Sequence, residues 1–228
     1  MPFVKSHFSV SLDELLPPST AEKTTKVTGF RPVCLKSGVF PGQRGSAYVE
    51  FGNTRVLAQI TGPKESTEAD YHSGAVTVNV TGYEDEKLRA QLVSALSSCI
   101  QLRKYNRSLI TCEVTVMNAD GGVLQAALLA SSLAVMHAGI EVFDIILPAH
   151  VTVSPSGQII VDPSSNEEEE VHGEVTVAVM PNLNQVVCCE VRGQLPLGHI
   201  HEAINTAHRT CLHLYPTVKK AVVDSLGS

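Results

Sequence analysis

The amino-acid sequence predicts an α+β protein with mixed sheets and two sheet–helix layers. Segments with strand periodicity and segments with helix periodicity follow one another in the order β-rich, α, β, α, β-rich, α, which favours that class. The chain of 228 residues is 43% apolar, enough for a sizeable core. No run of 18 apolar residues occurs, so we exclude a membrane span.

The first predicted strands form a hairpin. A short strand at 32–35 precedes strands at Gly45–Glu50 and Arg55–Ile60, in which Val, Tyr, Leu and Ile alternate with polar or small residues. Between the last two strands, Phe51–Thr54 contains residues that tolerate positive φ, which predicts a tight turn. Residues 1–29 show no sustained period, and we expect an extension that is ordered mainly by its contacts.

A strand, a helix and a second strand follow the hairpin. Val76–Val80 is the predicted strand, and the spacing of Thr81 and Glu84 indicates a capping box. We predict a helix over Glu84–Lys104, because apolar residues recur there at three- and four-residue steps. The β-rich segment Leu109–Met117 returns as a strand.

The next helix is predicted to lie in the core. Gly122–Met136 is almost wholly small or apolar, and Gly139 fits a C-terminal cap. The paired glycines Gly121 and Gly122 offer two interpretations. They could expose backbone amides to a phosphate, but no Lys or Arg accompanies them, which favours close packing of the helix instead.

The remaining segments indicate a second, smaller unit. Its predicted strands are Ile145–Val153, Ile159–Val161, Val175–Val179 and Gln185–Val191. A closing helix starts near Leu197, bends or breaks at Pro216 and runs to about Leu226. We therefore divide the chain into an extension at 1–29, a first subdomain at 30–143 and a second subdomain at 144–228.

The net charge of −6 excludes a protein that coats nucleic acid by bulk attraction. The charges are uneven, however. The basic segment contains Arg31, Lys36, Arg44, Arg55 and Lys64 against Glu50 alone. The acidic segment contains Asp162, Glu167, Glu168, Glu169, Glu170 and Glu174 without a basic residue. One surface is therefore expected to be cationic and another anionic.

From the cysteine usage and the first residues, we expect the chain to stay inside the cell. The six cysteines are scattered without a CxxC pair, which predicts small buried apolar side chains rather than a zinc ribbon or a disulfide framework. The start of the chain lacks the continuous apolar stretch of a signal peptide.

No local motif predicts a catalytic centre. The acidic loop could bind Mg²⁺, but glutamates that simply face water are the favoured interpretation. The histidines of the last helix, His199, His201, His208 and His213, lack the spacing of a zinc site. No Gly-x-Ser-x-Gly elbow occurs. The residues alone thus predict a soluble intracellular domain.

Several separated motifs nevertheless resemble the RNase PH family. They are Arg31-Pro-Val, Gly45-Ser-Ala-Tyr-Val-Glu-Phe-Gly-Asn-Thr-Arg-Val-Leu-Ala, Gly62-Pro63, Asn118-Ala-Asp-Gly-Gly122, His137-Ala-Gly-Ile140, Ile160-Val-Asp-Pro163, Met180-Pro-Asn-Leu-Asn-Gln-Val186 and Cys211-Leu-His-Leu-Tyr-Pro216. The resemblance covers about residues 30–223 and is strongest to the Mtr-type ring subunits of the eukaryotic exosome. It implies an RNase PH-like fold, with a ribosomal-protein-like βαβ unit followed by a smaller αβ unit.

The resemblance also implies that the family's phosphate chemistry is lost. That chemistry uses an arginine pair at the first helix, a Ser-Arg or Thr-Arg at the second, and two carboxylates, because an anionic nucleophile must be held beside an anionic backbone. Here Tyr83 and Glu84 fall at the arginine pair. Val123 and Leu124 fall at the phosphate position. Asp162 and Glu168 remain as an acidic remnant without compensating cations.

Two functions of different class follow from the resemblance. The favoured one is a catalytically inactive subunit of a six-membered exosome ring, with other RNase PH-like subunits, S1/KH-type cap subunits and RNA as partners, without cofactor, metal or membrane. The alternative is an active phosphate-dependent 3′-to-5′ exoribonuclease. Lys36, Arg44, Arg55 and Lys64 are the candidate RNA contacts, against the alternative of scattered solubilising charge. The implied compartments are nucleus, nucleolus and cytoplasm.

Overall fold

The computed structural model describes residues 29–67, 69–168 and 171–226. Apart from Gly29, the predicted extension at 1–29 lies outside the described residues. In the described part of the chain, no helix is long and apolar enough to span a membrane.

The first unit is a five-stranded mixed sheet. Its strands are β1 (Val33–Ser37), β2 (Gly45–Phe51), β3 (Thr54–Glu65), β4 (Ala75–Thr81) and β5 (Ser108–Asn118). Their spatial order is β1-β2-β3-β5-β4, and only β4 and β5 pair in parallel, joined by a helix crossover. The predicted hairpin is confirmed, since Phe51 pairs with Thr54 across the turn. In β3, Thr54, Val56, Ala58 and Ile60 are fully buried whereas Arg55 and Gln59 are not, and this alternation fixes the register of the sheet.

Helix α1 (Glu86–Cys99) differs from its prediction at both ends. The capping box at Thr81 and Glu84 is wrong, because Asp85 is the N-cap and its carboxylate accepts hydrogen bonds from the first turn. The helix also stops before Lys104. Ile100 leaves it to pair with Val142, and a separate 3₁₀ turn follows at Leu102–Lys104.

Helix α2 (Val123–His137) occupies the centre of the molecule, as predicted. Every residue from Val123 to Val135 is buried, and the helix packs against strands of both sheets. A helix with small and apolar residues all around its axis is stable only in such a position. Gly122 precedes the first turn with a φ of +60°, so it lies outside the helix.

The second unit is a four-stranded sheet covered by a long helix. Its strands are β6 (Leu147–Val153), β7 (Ile159–Val161), β8 (Gly173–Met180) and β9 (Gln185–Gly193), in the order β7-β6-β8-β9. All of its pairings are antiparallel, so the expectation of mixed sheets holds for the first unit alone. A single helical turn, α3 (Ser165–Glu168), lies between β7 and β8.

The closing helix α4 (Leu197–Leu226) packs on β6 and β8. From the sequence we predict a bend or a break at Pro216. The structure has one helix that continues through this residue, so no break occurs there. A proline removes one N–H donor from a helix, but Leu214 and Val218 on either side of it are fully buried and hold both segments against the core. The two units and α2 share one continuous core. The division at 143–144 stays a prediction.

The cysteines follow their prediction only in part. Cys99, Cys112 and Cys211 are buried, as expected for small apolar side chains, and no disulfide joins any of the six cysteines within the described residues. Cys189 is exposed on β9, which is an edge strand and therefore packed on fewer sides.

Candidate functional site

The first turn of α2 opens onto a cavity of about 180 Å³ between the two units. Val123 and Leu124 line it, but their side chains belong to the core and are only 9% and 7% exposed. Neither side chain can donate a hydrogen bond or carry charge. The position at which the family resemblance requires phosphate contacts is therefore an apolar wall with backbone amides at its edge.

Four charged side chains also line the cavity. Asp85 comes from the loop before α1, Glu174 from β8, and Glu190 and Arg192 from β9. The lining thus contains three carboxylates and one guanidinium, and the net charge of these four groups is negative. A phosphate dianion entering this cavity would meet more repulsion than attraction.

The charge of Arg192 is already paired within the chain. Its Nε donates to Glu190 Oε1 at 2.8 Å, and its Nη2 donates to Asp85 Oδ2 at 3.1 Å. Partial burial would lower the pKa of Arg192, but the hydrogen bonds and charges of Glu190 and Asp85 outweigh it and raise that pKa. The guanidinium stays protonated and bound to two carboxylates.

Asp85 has two structural tasks at once. Its Oδ1 accepts from Lys87 N at 2.8 Å and from Leu88 N at 3.4 Å, which caps α1, while its Oδ2 binds Arg192. Partial burial alone would raise the pKa of Asp85, but these hydrogen bonds outweigh it and hold the pKa below its usual value. The carboxylate is therefore ionised at neutral pH.

Asp162 does not line this cavity. Its side chain is fully buried and accepts from Arg31 N at 2.9 Å, from Arg31 Nη2 at 3.0 Å and from Gln125 Nε2 at 3.0 Å. Arg31 also donates to the carbonyl oxygens of Asp120 and Gly121. The expectation that Asp162 lacks a compensating cation is wrong, because Arg31 neutralises it. Asp162 connects the start of β1 to α2 and to the end of β7.

The other predicted site residues have separate environments. Tyr83 lines the cavity, whereas Glu84 is exposed. Glu168 ends α3, and its side chain lies outside the described residues. Within the described residues, no cluster of three or more His, Cys, Asp or Glu side chains is arranged to hold a metal ion.

The four predicted RNA contacts are not brought into one cluster. Arg55 and Lys64 lie nine residues apart on β3, which corresponds to roughly 30 Å. Arg55 pairs with Glu50 at 3.4 Å, and Arg44 donates to Ala138 O at 3.3 Å. Lys36 and Lys64 are exposed. Their role in RNA binding stays a prediction.

Sequence reasoning did not predict the two long-range ion pairs. Asp85 and Arg192 are 107 residues apart, and Arg31 and Asp162 are 131 residues apart, so no local spacing indicates either pair. The one local signal is that Asp85 precedes an apolar helical stripe, which is typical of an N-cap residue.

Comparison with known proteins agrees with the fold. The RNase PH model, described as the 3′ exoribonuclease family, domain 1, matches residues 29–141, and the model for domain 2 of that family matches residues 148–210. The chain is 27% identical to exosome complex component MTR3 of Homo sapiens, with 89% of this chain and 86% of that protein covered. It is 28% identical to exosome complex component Rrp41 of Cenarchaeum symbiosum, covering 87% and 88% of the two chains.

Solved structures show the same fold at lower identity. The crystal structure of rice (Oryza sativa) Rrp46 superposes with a TM-score of 0.78 at 19% identity, covering 87% of this chain and 98% of that one. An archaeal exosome core subunit gives a TM-score of 0.74 at 21% identity, covering 83% and 87%. Because both family domains match in order along most of the chain, this protein belongs to the RNase PH family of 3′ exoribonuclease-like proteins.

Proposed function

We propose that this protein is a catalytically inactive subunit of an RNA exosome ring, supporting 3′-to-5′ RNA processing and decay by assembly and by forming part of the RNA conduit. The observation that carries the proposal is the cavity at the start of α2. Val123 and Leu124 stand at its phosphate position, and its one guanidinium, from Arg192, is paired with two carboxylates.

Phosphorolysis needs cations that are not already neutralised. An attacking phosphate and the RNA backbone are both anionic, so their approach requires preorganised positive groups. Removing one such donor typically lowers the rate about 100- to 1000-fold. In the described cavity Asp85, Glu174 and Glu190 outnumber Arg192, which supports silence rather than slow activity.

Assembly is the function that remains when the chemistry is absent. Similar proteins are exosome complex components, and a chain with the same fold comes from an archaeal exosome core. Under the proposal, this chain contacts other RNase PH-like subunits in a six-membered ring, with S1/KH-type cap subunits and RNA as further partners. The compartments proposed for it are the nucleus, the nucleolus and the cytoplasm.

The assembly claim is tested by purifying the chain under native conditions from its source and measuring its stoichiometric companions. We expect RNase PH-like proteins in equal amounts, together with cap subunits. A lone monomer without such companions would refute the proposed role. Binding of labelled RNA to the purified complex then tests the conduit claim, with crosslinks expected on this chain.

The second candidate is an active phosphate-dependent 3′-to-5′ exoribonuclease. The observation in its favour is that the cavity keeps acidic side chains, among them Glu174, beside a guanidinium. Phosphate-dependent release of nucleoside diphosphates by the isolated chain would promote this candidate over the first.

A further inference from the structure

We propose that Arg192 is a masked anion-binding group, and that the Asp85 carboxylate occupies it as an internal competitor that excludes phosphate, whether free or in a nucleotide. The inference deepens the proposal of catalytic silence and rests on it. The loss of the family's phosphate-binding residues is then only part of the reason for silence. The cavity still contains a cation, Arg192, but carboxylates of the same chain already bind it.

The Arg192 guanidinium has more N–H donors than its two carboxylate partners use. Arginine carries five N–H donors in a planar fork that suits the oxygens of phosphate. The structure uses Nε for Glu190 and Nη2 for Asp85, at 2.8 and 3.1 Å. The Arg192 side chain is 40% exposed, so an anion could reach it if the carboxylates did not hold it.

Asp85 is well placed to compete with a free anion. Its other carboxylate oxygen is held by the helix cap, through Lys87 N and Leu88 N, so Oδ2 stands at Arg192 with little further loss of freedom. A preorganised group within the same chain avoids the entropy that a free phosphate must lose on binding. Millimolar phosphate therefore competes poorly against it.

The remaining lining determines what happens when the competitor is removed. With Asp85 and Glu190 neutralised, Glu174 and Arg192 balance each other, and the N-terminal end of α2 adds positive potential. The cavity of about 180 Å³ then has the space and the charge for a phosphate group. Asn suits position 85, because it caps a helix as well as Asp does.

The test compares phosphate binding to the full chain and to D85N/E190Q. Inorganic phosphate and ADP are titrated in separate arms at constant ionic strength, and line broadening of the ³¹P resonance reports binding. We expect the double variant to bind at least about tenfold more tightly than the wild type, and D85N/E190Q/R192Q to lose the gain. The double variant releases two ion pairs of Arg192 at a partly exposed site, which is consistent with roughly this change.

Three results would overturn the inference. They are an unchanged affinity in D85N/E190Q, a gain that persists in the triple variant, and phosphate binding to the wild type that R192Q abolishes. A gain for inorganic phosphate alone would restrict the masked site to the free ion, and a gain for ADP would extend it to nucleotides. If the double variant unfolds, D85N alone keeps the helix cap, and we expect a gain of at least about threefold from it.

Failure of this test is distinguishable from failure of the proposed function. A wild-type chain that releases nucleoside diphosphates would refute catalytic silence regardless of the titration. A silent chain in which D85N/E190Q gains no phosphate affinity would refute the masking by Asp85 and leave the structural role intact.

Discussion

Asp162→Asn tests whether the buried carboxylate has a structural role. The Asp162 side chain accepts three hydrogen bonds, two of them from Arg31, and is fully enclosed. Asparagine keeps the shape and one carbonyl oxygen, and it tolerates the φ of +48° at this position. It removes the negative charge and turns an N–H₂ group toward donors from Arg31 and Gln125.

The expected loss follows from the ion pair that is broken. Removing one partner of a buried pair typically costs about 3–5 kcal/mol. The Arg31 side chain is 16% exposed and has the Asp120 carboxylate 3.6 Å away, so its charge stays partly compensated in the variant. We therefore expect the free energy of unfolding to fall by about 3 kcal/mol, the lower end of that range. For a chain of this length, that corresponds to a melting temperature lower by about 6–12 °C.

Thermal and urea unfolding of the full chain, followed by circular dichroism, measure this loss. Glu113→Gln is the matched control, because it also removes one negative charge but lies exposed on β5, where we expect a change within about 0.5 kcal/mol. The double variant Arg31→Gln/Asp162→Asn should lose less than the sum of its single variants, since neither member of the Arg31–Asp162 pair is left charged without the other. A loss below about 1 kcal/mol for Asp162→Asn would contradict a stabilising role of the Asp162–Arg31 pair. So would a double variant whose loss equals the sum of the two single losses.

Three further predictions concern the cap, the thiols and the exposed lysines. Asp85→Ala should lower the free energy of unfolding by about 1–2 kcal/mol at pH 7, whereas Asp85→Asn keeps the cap and loses less. Because the pKa of Asp85 is lowered on folding, the part of the Asp85→Ala loss that depends on the negative charge should be complete above about pH 5. It should decrease below the unfolded pKa of about 3.9 and disappear only as the pH falls through the lower pKa of the folded state; a loss that does not change with pH in unfolding measurements would contradict this. Burial raises the pKa of Cys112 to about 12, so maleimide labelling read by mass spectrometry should modify exposed Cys189 first and Cys112 only on unfolding. Lys36→Gln and Lys64→Gln should each reduce the salt dependence of RNA binding by about 0.7 in logarithmic slope, and an unchanged slope would exclude that lysine as a phosphate contact.

Local sequence patterns predicted most helices and strands, because apolar residues recur at helix spacing in the helices and at strand spacing in the strands. The all-apolar run of α2 indicates a buried helix, and the alternation in β2 and β3 gives their pairing. The N-cap was missed because both Thr81 and Asp85 are residue types that favour caps. Only the folded chain shows which carboxylate meets the backbone amides of α1.

The candidate site was predictable only where it lies next to a local motif. Val123 and Leu124 follow directly from the paired glycines, so their register is set by the sequence. The partners of Asp162 and Arg192 come from distant strands and loops, and their pairing depends on the packing of one unit against the other. Charge counts along the chain could not show that Asp162 is neutralised by Arg31.

Catalytic silence is tested most directly by incubating the purified full chain with a 3′-tailed RNA and phosphate, and measuring the nucleoside diphosphates released. We expect no release above background, with or without phosphate, because Val123 and Leu124 offer no charge and Arg192 is already paired. A phosphate-dependent rate that Glu174→Gln abolishes while the variant stays folded would contradict it.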